Sequence, residues 1–273
     1  MNKIYQVYQV SDSTGETLDR IFTAVKAQFT NFQSKTMHFS FTRTENQINK
    51  IISQSKSEKN VIILYTIVNN NLAKHLAEEC EKNNIPYFEA LGGLITNFSK
   101  LIKQEASHKP SGQHTLDEEY YKRIEAVQFT MSHDDGRIIS DLDNADIVLV
   151  GVSRTSKTPT SIYLANRGYK TANIPLVANK NIPNEISKIS KKICTIGLVC
   201  DVARLSDVRR NRIQFMHEDR PGDYTNEDKI EEELERSKKF FKKNNWPIID
   251  VTRKSVEETA ASVIKIFDIL HSK

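Results

Sequence analysis

Ile147-Val-Leu-Val-Gly151-Val-Ser-Arg-Thr-Ser-Lys157-Thr158 decides how this chain is read, because an apolar run passes without interruption into a short polar loop that ends in Lys-Thr. The apolar run after Asp146 has the character of a strand buried on both faces, as in a parallel sheet. Gly151 lets the backbone turn sharply, the loop amides can point inward, and a following helix would present the positive end of its dipole. Lys157 supplies a mobile cation and Thr158 a hydroxyl for Mg²⁺. Against the phosphate-loop template GxxxxGK[ST], Gly151 and Lys157-Thr158 match, while Ser156 stands where the second glycine belongs. The expected binding set is Gly151, Val152, Ser153, Arg154, Thr155, Ser156, Lys157 and Thr158, with Thr158 also on the metal. Thr158-Pro159 reads as a helix N-cap followed by proline at the first helical position, and Gly168 as the stop. The plainer alternative is a strand-to-helix turn that merely carries Ser, Thr and Lys.

Outward from this loop, β-rich runs alternate with helical patterns. Tyr5–Val10, Thr36–Phe41, Val61–Val68 and Pro86–Ala90 read as strands, Thr44 and Gln47 as a capping box, and Leu72, Leu76 and Cys80 as one face of a helix over 70–83. The alternation breaks between about Ala106 and Gly136, where a polar stretch precedes a helical run from Leu116 to Met131. It then resumes with strand 146–150, helix 159–167, strand 171–177, helix 183–191, strand 193–199, a basic helix over 201–213, a charged helix over 227–243 and a last strand over 247–251. Ser255 and Glu258 form a second capping box, opening a helix with an apolar face of Val256, Val263, Ile264, Phe267 and Leu270. The expected fold is α/β, an N-terminal parallel βα domain plus a C-terminal P-loop kinase-like α/β domain. The expected divisions are residues 1–105, a connecting segment 106–136, and 137–273.

Composition sets bounds on function. A chain of 273 residues, 38% hydrophobic and 27% charged, has the make-up of an ordinary globular protein. No run approaches a membrane span, and the start MNKIYQVYQVSDS enters a strand pattern without a secretory signal, so a cytoplasmic protein is expected. Cys80, Cys194 and Cys200 lack metal-ligand spacing and are odd in number, which argues for reduced thiols. A formal charge of +4 suits anionic ligands but lacks the clustered basic and aromatic residues of a nucleic-acid surface, so no nucleic-acid partner is expected. Lys229 to Trp246 divides into an acidic half and a basic half, the charge pattern of a solvated helix aligned with its own dipole.

Three further groups carry chemistry. Ser11 to Thr17 also follows a strand and opens a helix, an arrangement that binds an anion or simply caps the helix, with Asp12 opposing a phosphate. His133-Asp134-Asp135-Gly136 is either a common turn sequence or a site for proton transfer and Mg²⁺. Phosphoryl transfer needs an orienting carboxylate and cations over the transferred group, for which Asp134 and Asp135, and Arg154 and Lys157, are the candidates. Arg204, Arg209, Arg210 and Arg212, with Arg220-Pro-Gly222 beyond, suit a phosphate clamp or an exposed helix surface.

Together these segments resemble the pyruvate, phosphate/water dikinase regulatory protein family. Its carriers are Val10 to Thr17; Gly112-Gln-His114 with Asp117, Tyr120 and Arg123-Ile-Glu-Ala126; His133 to Gly136; Ala145 to Ala165; and Arg220-Pro-Gly222. The family loop reads GVSRTSKT, as here, which accounts for Ser156. The resemblance implies a bifunctional enzyme that phosphorylates a threonine of a dikinase with ADP as donor, inactivating it. The same enzyme would remove the phosphate with inorganic phosphate, releasing pyrophosphate. It places ADP on Gly151 to Thr158. The chemistry itself then calls for Lys157, Arg154 and Mg²⁺ over the transferred group, and for a carboxylate such as Asp135, by its position before the loop strand, to move the proton, with His133 and Asp134 as further catalytic candidates. The expected target is pyruvate, phosphate dikinase, with phosphoenolpyruvate synthetase as the alternative and a homodimer as the assembly. A small-molecule P-loop kinase and a non-catalytic nucleotide-sensing adaptor are the rival readings.

Overall fold

The computed structural model describes residues 3–112, 117–136, 141–177, 193–216 and 222–272, grouped in two compact units, Met1–Thr115 and Leu116–Lys273. In the first unit the order is β1 (Ile4–Ser11), α1 (Glu16–Lys26), β2 (Gln33–Phe39), α2 (Glu45–Lys56), β3 (Val61–Thr66), α3 (Asn70–Lys82), β4 (Tyr87–Glu89) and α4 (Gly92–Ile102). The second contains α5 (Glu118–Ser132), β5 (Ile147–Val152), α6 (Lys157–Ala165), β6 (Thr171–Leu176), β7 (Cys194–Val199), α7 (Val202–Met216), α8 (Glu227–Lys243), β8 (Ile248–Asp250) and α9 (Val256–His271). The expected helix 183–191 lies outside the described residues.

Among the described residues each unit holds one four-stranded, all-parallel sheet, ordered β2-β1-β3-β4 in the first and β6-β5-β7-β8 in the second. The α/β class read from the sequence is thus the observed one, and the same strand order occurs twice. In this order the chain leaves the first strand toward one edge and returns to its other side. The carboxyl ends of the two central strands therefore flank the topological switch point, where ligands of such sheets bind. Those ends are β1 and β3 in the first unit, β5 and β7 in the second.

Burial follows the hydrophobic pattern. Ile147, Val148, Leu149 and Val150 are all 0% exposed, which requires helices on both faces of β5. On one side Val148 and Val150 pack with Leu205, Ile230, Leu234 and Phe241 of α7 and α8. On the other, Ile147 and Leu149 pack with Leu164 of α6 and Ala260 and Val263 of α9. Each such aliphatic side chain contributes about 1.5–3 kcal/mol through burial. Both capping boxes are formed, at Thr44–Gln47 and at Ser255–Glu258. In α9, Val263 is buried and Ile264 and Phe267 are partly so, but Leu270 is exposed, because the last turn runs past the sheet it covers. Strand β2 begins at Gln33, earlier than expected, and ends at Phe39, since the chain turns there and Phe41 takes a left-handed φ of 54°. Helix α4 buries none of its side chains and leaves Leu94, Phe98 and Leu101 exposed.

Candidate phosphate-binding site

The loop Ser153–Ser156 leaves the carboxyl end of β5 and enters α6 directly. Gly151 is required by close approach: a Cβ there would lie 2.7 Å from the Leu198 carbonyl oxygen of β7 and 2.8 Å from Thr155 Oγ1. The Val152 carbonyl closes the loop, accepting from Thr155 Oγ1 at 3.0 Å and from Lys157 Nζ at 2.9 Å. Arg154 and Ser156 hold left-handed φ values of 74° and 58°. Ser156, not Thr158, is the N-cap of α6, and it caps without a side-chain hydrogen bond. The helix therefore starts earlier than Thr158-Pro159 suggested, and Pro159 falls within its first turn, where no intrahelical donor is needed.

Lys157 is 5% exposed, and burial pushes its ammonium down from the ordinary lysine value to about 8, with the Asp135 carboxylate opposing and Arg154 adding to the depression. Asp135 sits in the turn Asp134–Gly136 with a left-handed φ of 53°; its exposed side chain makes no hydrogen bond among the described residues. Asp134 is tied down: its Oδ1 accepts from Thr158 Oγ1 at 3.0 Å and from Asn173 Nδ2. Asn173 Nδ2 also lies 3.0 Å from Thr158 Oγ1. His133 is 2% exposed and stacked on Phe129 at 3.8 Å; its Nε2 meets Asp141 Oδ1 at 2.8 Å and its Nδ1 the Phe129 carbonyl at 2.7 Å. Both of its ring nitrogens are thus engaged within the protein. Its backbone carbonyl accepts from Asn173 N at 3.2 Å, so the turn is fastened to β6.

The other flank of the loop is held by α7 and α8. Arg209, 1% exposed, donates to the Ser153 carbonyl at 3.3 Å, the Tyr224 carbonyl at 3.0 Å and Glu233 Oε2 at 2.8 Å. Its guanidinium lies over the Tyr224 ring at 4.7 Å. Burial alone would raise the Tyr224 phenol, but hydrogen bonds with Ser153 and Arg154 and the charges of Arg154 and Arg209 outweigh it and leave it below the ordinary value. Of the candidate arginines, Arg209 is therefore a brace of the loop, and Arg210 is exposed and paired with Asp207 and Glu227. Gln113, His114, Arg220 and Pro221 lie outside the described residues.

The Ser11–Thr17 loop occupies the equivalent position in the first unit. Asp12 Oδ2 accepts from Val68 N at 2.8 Å, so this buried carboxylate joins the β1 loop to the β3 loop. Ser11, Asp12, Gly15 and Thr66, with Lys109 and Ser111, line a cavity of about 200 Å³.

The chemistry at the β5 loop is that of an oxyanion cradle: a helix N-terminus, a buried lysine, an exposed arginine and a hydroxyl beside a carboxylate. Asn173, Tyr224, Glu233 and Asp141 were not singled out from sequence. The one available signal was Asn173, a residue poorly suited to the middle of an apolar strand. A magnesium ion carried by a polyphosphate suits the donors present, since Thr158 and Asp134 offer hard oxygens and the buried Oδ1 of Asn173 has no donor. Among the described residues no three His, Cys, Asp or Glu side chains gather as a metal site. Nor is any described helix long and apolar enough to cross a membrane.

Fold and loop define a two-unit parallel α/β protein with a candidate site at a switch point, and sequence comparison is narrower. The profile described as Kinase/pyrophosphorylase matches residues 7–264. The chain is 59% identical, over 98% of both sequences, to a protein of Pelagibacter ubique provisionally named pyruvate, phosphate dikinase regulatory protein. Similarly named proteins are 41% identical in Wolbachia pipientis, over 97% of both chains, and 41% identical in Erythrobacter litoralis, over 100% of this chain and 97% of that one. The chain belongs to the kinase/pyrophosphorylase family. A solved structure titled as a LacI transcriptional regulator from Bacteroides fragilis aligns over 99% of this chain and 92% of that one, at a TM-score of 0.25 and 10% identity, too low to bear on fold or function.

Proposed function

We propose that this chain is a bifunctional regulator of pyruvate, phosphate dikinase, acting as an ADP-dependent threonine kinase and a phosphate-dependent phosphorylase. The observation that carries the reading is the closed loop Gly151–Thr158, with buried Lys157 between the Val152 carbonyl and the carboxylates of the Asp134–Gly136 turn. The names of the relatives support the target.

In the kinase direction the threonine hydroxyl of the dikinase attacks the β-phosphorus of ADP. The bond to the bridging oxygen breaks, and phosphothreonine, AMP and a proton result. In the phosphorylase direction an oxygen of inorganic phosphate attacks phosphothreonine, giving threonine and pyrophosphate. The loop amides of Val152 to Ser156 and the start of α6 hold the diphosphate, and Lys157 and Arg154 offset charge on the transferred group. Asp135, whose carboxylate is free of other partners among the described residues, takes or returns the threonine proton. Thr158, with Asp134 beside it, would hold Mg²⁺, which would neutralise phosphate charge when bound. His133 acts from behind by fixing the Asp134–Gly136 turn. The protein works in the cytoplasm, and the exposed Leu94, Phe98 and Leu101 of α4 supply a self-association face for a homodimer.

The test is incubation of the purified protein and Mg²⁺ with each dikinase and β-labelled ADP or ATP, followed by mass mapping of the label. Label from ADP on a threonine of pyruvate, phosphate dikinase supports the proposal. Label on phosphoenolpyruvate synthetase alone would transfer the same chemistry to that target, and label on a metabolite would favour a small-molecule kinase. ADP binding without transfer to anything would favour a nucleotide-sensing adaptor.

A further inference from the structure

Asn173 is 1% exposed at the centre of β6, opposite Leu149 of β5, where the strand otherwise carries Thr171, Ala172 and Ile174. An amide at such a position loses water, and a buried polar atom without a partner is destabilising. The Nδ2 group is well used, donating to Asp134 Oδ1 and lying 3.0 Å from Thr158 Oγ1. The Oδ1 atom of the same amide is buried with no hydrogen-bond partner. A purely structural asparagine would have no need of that orphan. Thr158 already donates to Asp134 at 3.0 Å, so the amide is not needed to satisfy the hydroxyl. What Asn173 adds is a fixed spacing between one hydroxyl and one carboxylate, plus an acceptor a few ångströms away. Magnesium retains several of its waters when bound to phosphates and one or two protein oxygens, and outer-sphere acceptors orient those waters.

Resting on the proposal that the Gly151–Thr158 loop takes ADP with Mg²⁺, we propose that Asn173 is a positioning residue for the metal. Its Nδ2 sets Thr158 and Asp134 as an oxygen pair, and its Oδ1 accepts from a water on the ion. It touches neither nucleotide nor threonine and acts through Thr158, Asp134 and that water.

The test is calorimetric titration of ADP into wild type and Asn173→Ala, once in EDTA and once in excess Mg²⁺, with circular dichroism and Tm to verify folding. Wild type is expected to bind ADP at least tenfold more tightly with Mg²⁺. Asn173→Ala should keep its EDTA affinity within about twofold of wild type, lose most of the metal enhancement, and need roughly tenfold more Mg²⁺ for half-saturation. Full enhancement in the variant overturns the inference, as does equal weakening with and without metal, which would mark plain scaffolding. Wild type that binds no ADP in either condition overturns the loop reading itself and this inference with it. If Asn173→Ala fails to fold, the isosteric Asn173→Asp decides by gain of binding. A second carboxylate beside Asp134 should raise affinity for Mn²⁺ alone, read by electron paramagnetic resonance without nucleotide, about tenfold or more. Unchanged Mn²⁺ binding in that variant overturns the inference.

Discussion

Lys157 Nζ donates to the carbonyl of Val152 at 2.9 Å, so the cation of the loop is held against the end of the strand that feeds it. Burial dominates this lysine's titration and brings it to about 8, against an ordinary value of 10.5. Between those two pH values the unfolded chain binds the proton more tightly than the folded one, so the contribution of Lys157 to stability rises with pH across that window. Anion binding changes in the opposite sense, because the charge is lost as pH passes 8. ADP affinity should fall by up to about tenfold per pH unit above that point, with uptake of a proton on binding near pH 9. Calorimetry in buffers of different ionisation enthalpy measures both. A flat affinity from pH 7 to 9.5, without proton uptake, would contradict the assignment, and Lys157→Met should abolish the uptake.

Gly151→Ala should damage the site through the backbone. The added methyl would meet the Leu198 carbonyl oxygen at 2.7 Å, and a sheet carbonyl has little freedom to retreat. A cost of about 1–3 kcal/mol follows from such overpacking. Urea unfolding should show that loss, and ADP binding should weaken at least tenfold as β5 and its loop shift away from β7. Wild-type stability in this variant would mean that the β5–β7 contact relaxes freely.

The elements legible in the sequence were those whose signals are local. The alternation of apolar strands with capped helices gave α/β, and the two capping boxes are present because Ser or Thr with Glu or Gln three residues on satisfies two orphan amides without outside help. The β5 loop was legible because strand, Gly151 and Lys157-Thr158 are contiguous. What escaped was set by contacts distant in sequence. Asn173 meets Asp134 only because the Asp134–Gly136 turn is fastened to β6, where Asn173 N donates to the His133 carbonyl, and Arg209 reaches Ser153 only because α7 packs beside the loop. Periodicity cannot show which of several arginines turns inward. The start of α6 was misplaced because Thr158-Pro159 is a good cap locally, whereas the loop closure through Val152 winds Lys157 and Thr158 into the first turn.

Ser156→Gly should stabilise the protein. Ser156 holds a φ of 58° with no capping hydrogen bond, a conformation that costs an L residue about 1 kcal/mol and glycine little. Tm is expected to rise by roughly 2–4 °C for a domain of this size. Differential scanning calorimetry reads it directly, and a lower Tm would show that the serine hydroxyl has a stabilising partner in solution.

Arg209 and Glu233 make a buried pair at 2.8 Å, with side chains 1% and 17% exposed, and the same guanidinium holds the Ser153 carbonyl. Removing one partner leaves the other charge poorly solvated, so Arg209→Met and Glu233→Met should each cost about 3–5 kcal/mol. The double variant should recover much of that loss, because two apolar side chains of similar volume fill the space between α7 and α8 without a stranded charge. Binding should part company with stability. Arg209→Met and the double variant both free Ser153 and remove a cation near the loop, and both should bind ADP at least tenfold more weakly. Glu233→Met keeps the tether and should bind ADP nearly as wild type does wherever it remains folded. Urea titration and ADP calorimetry on the three proteins separate the two roles, and recovery of ADP affinity in the double variant would mean that Arg209 acts on the loop only through overall stability.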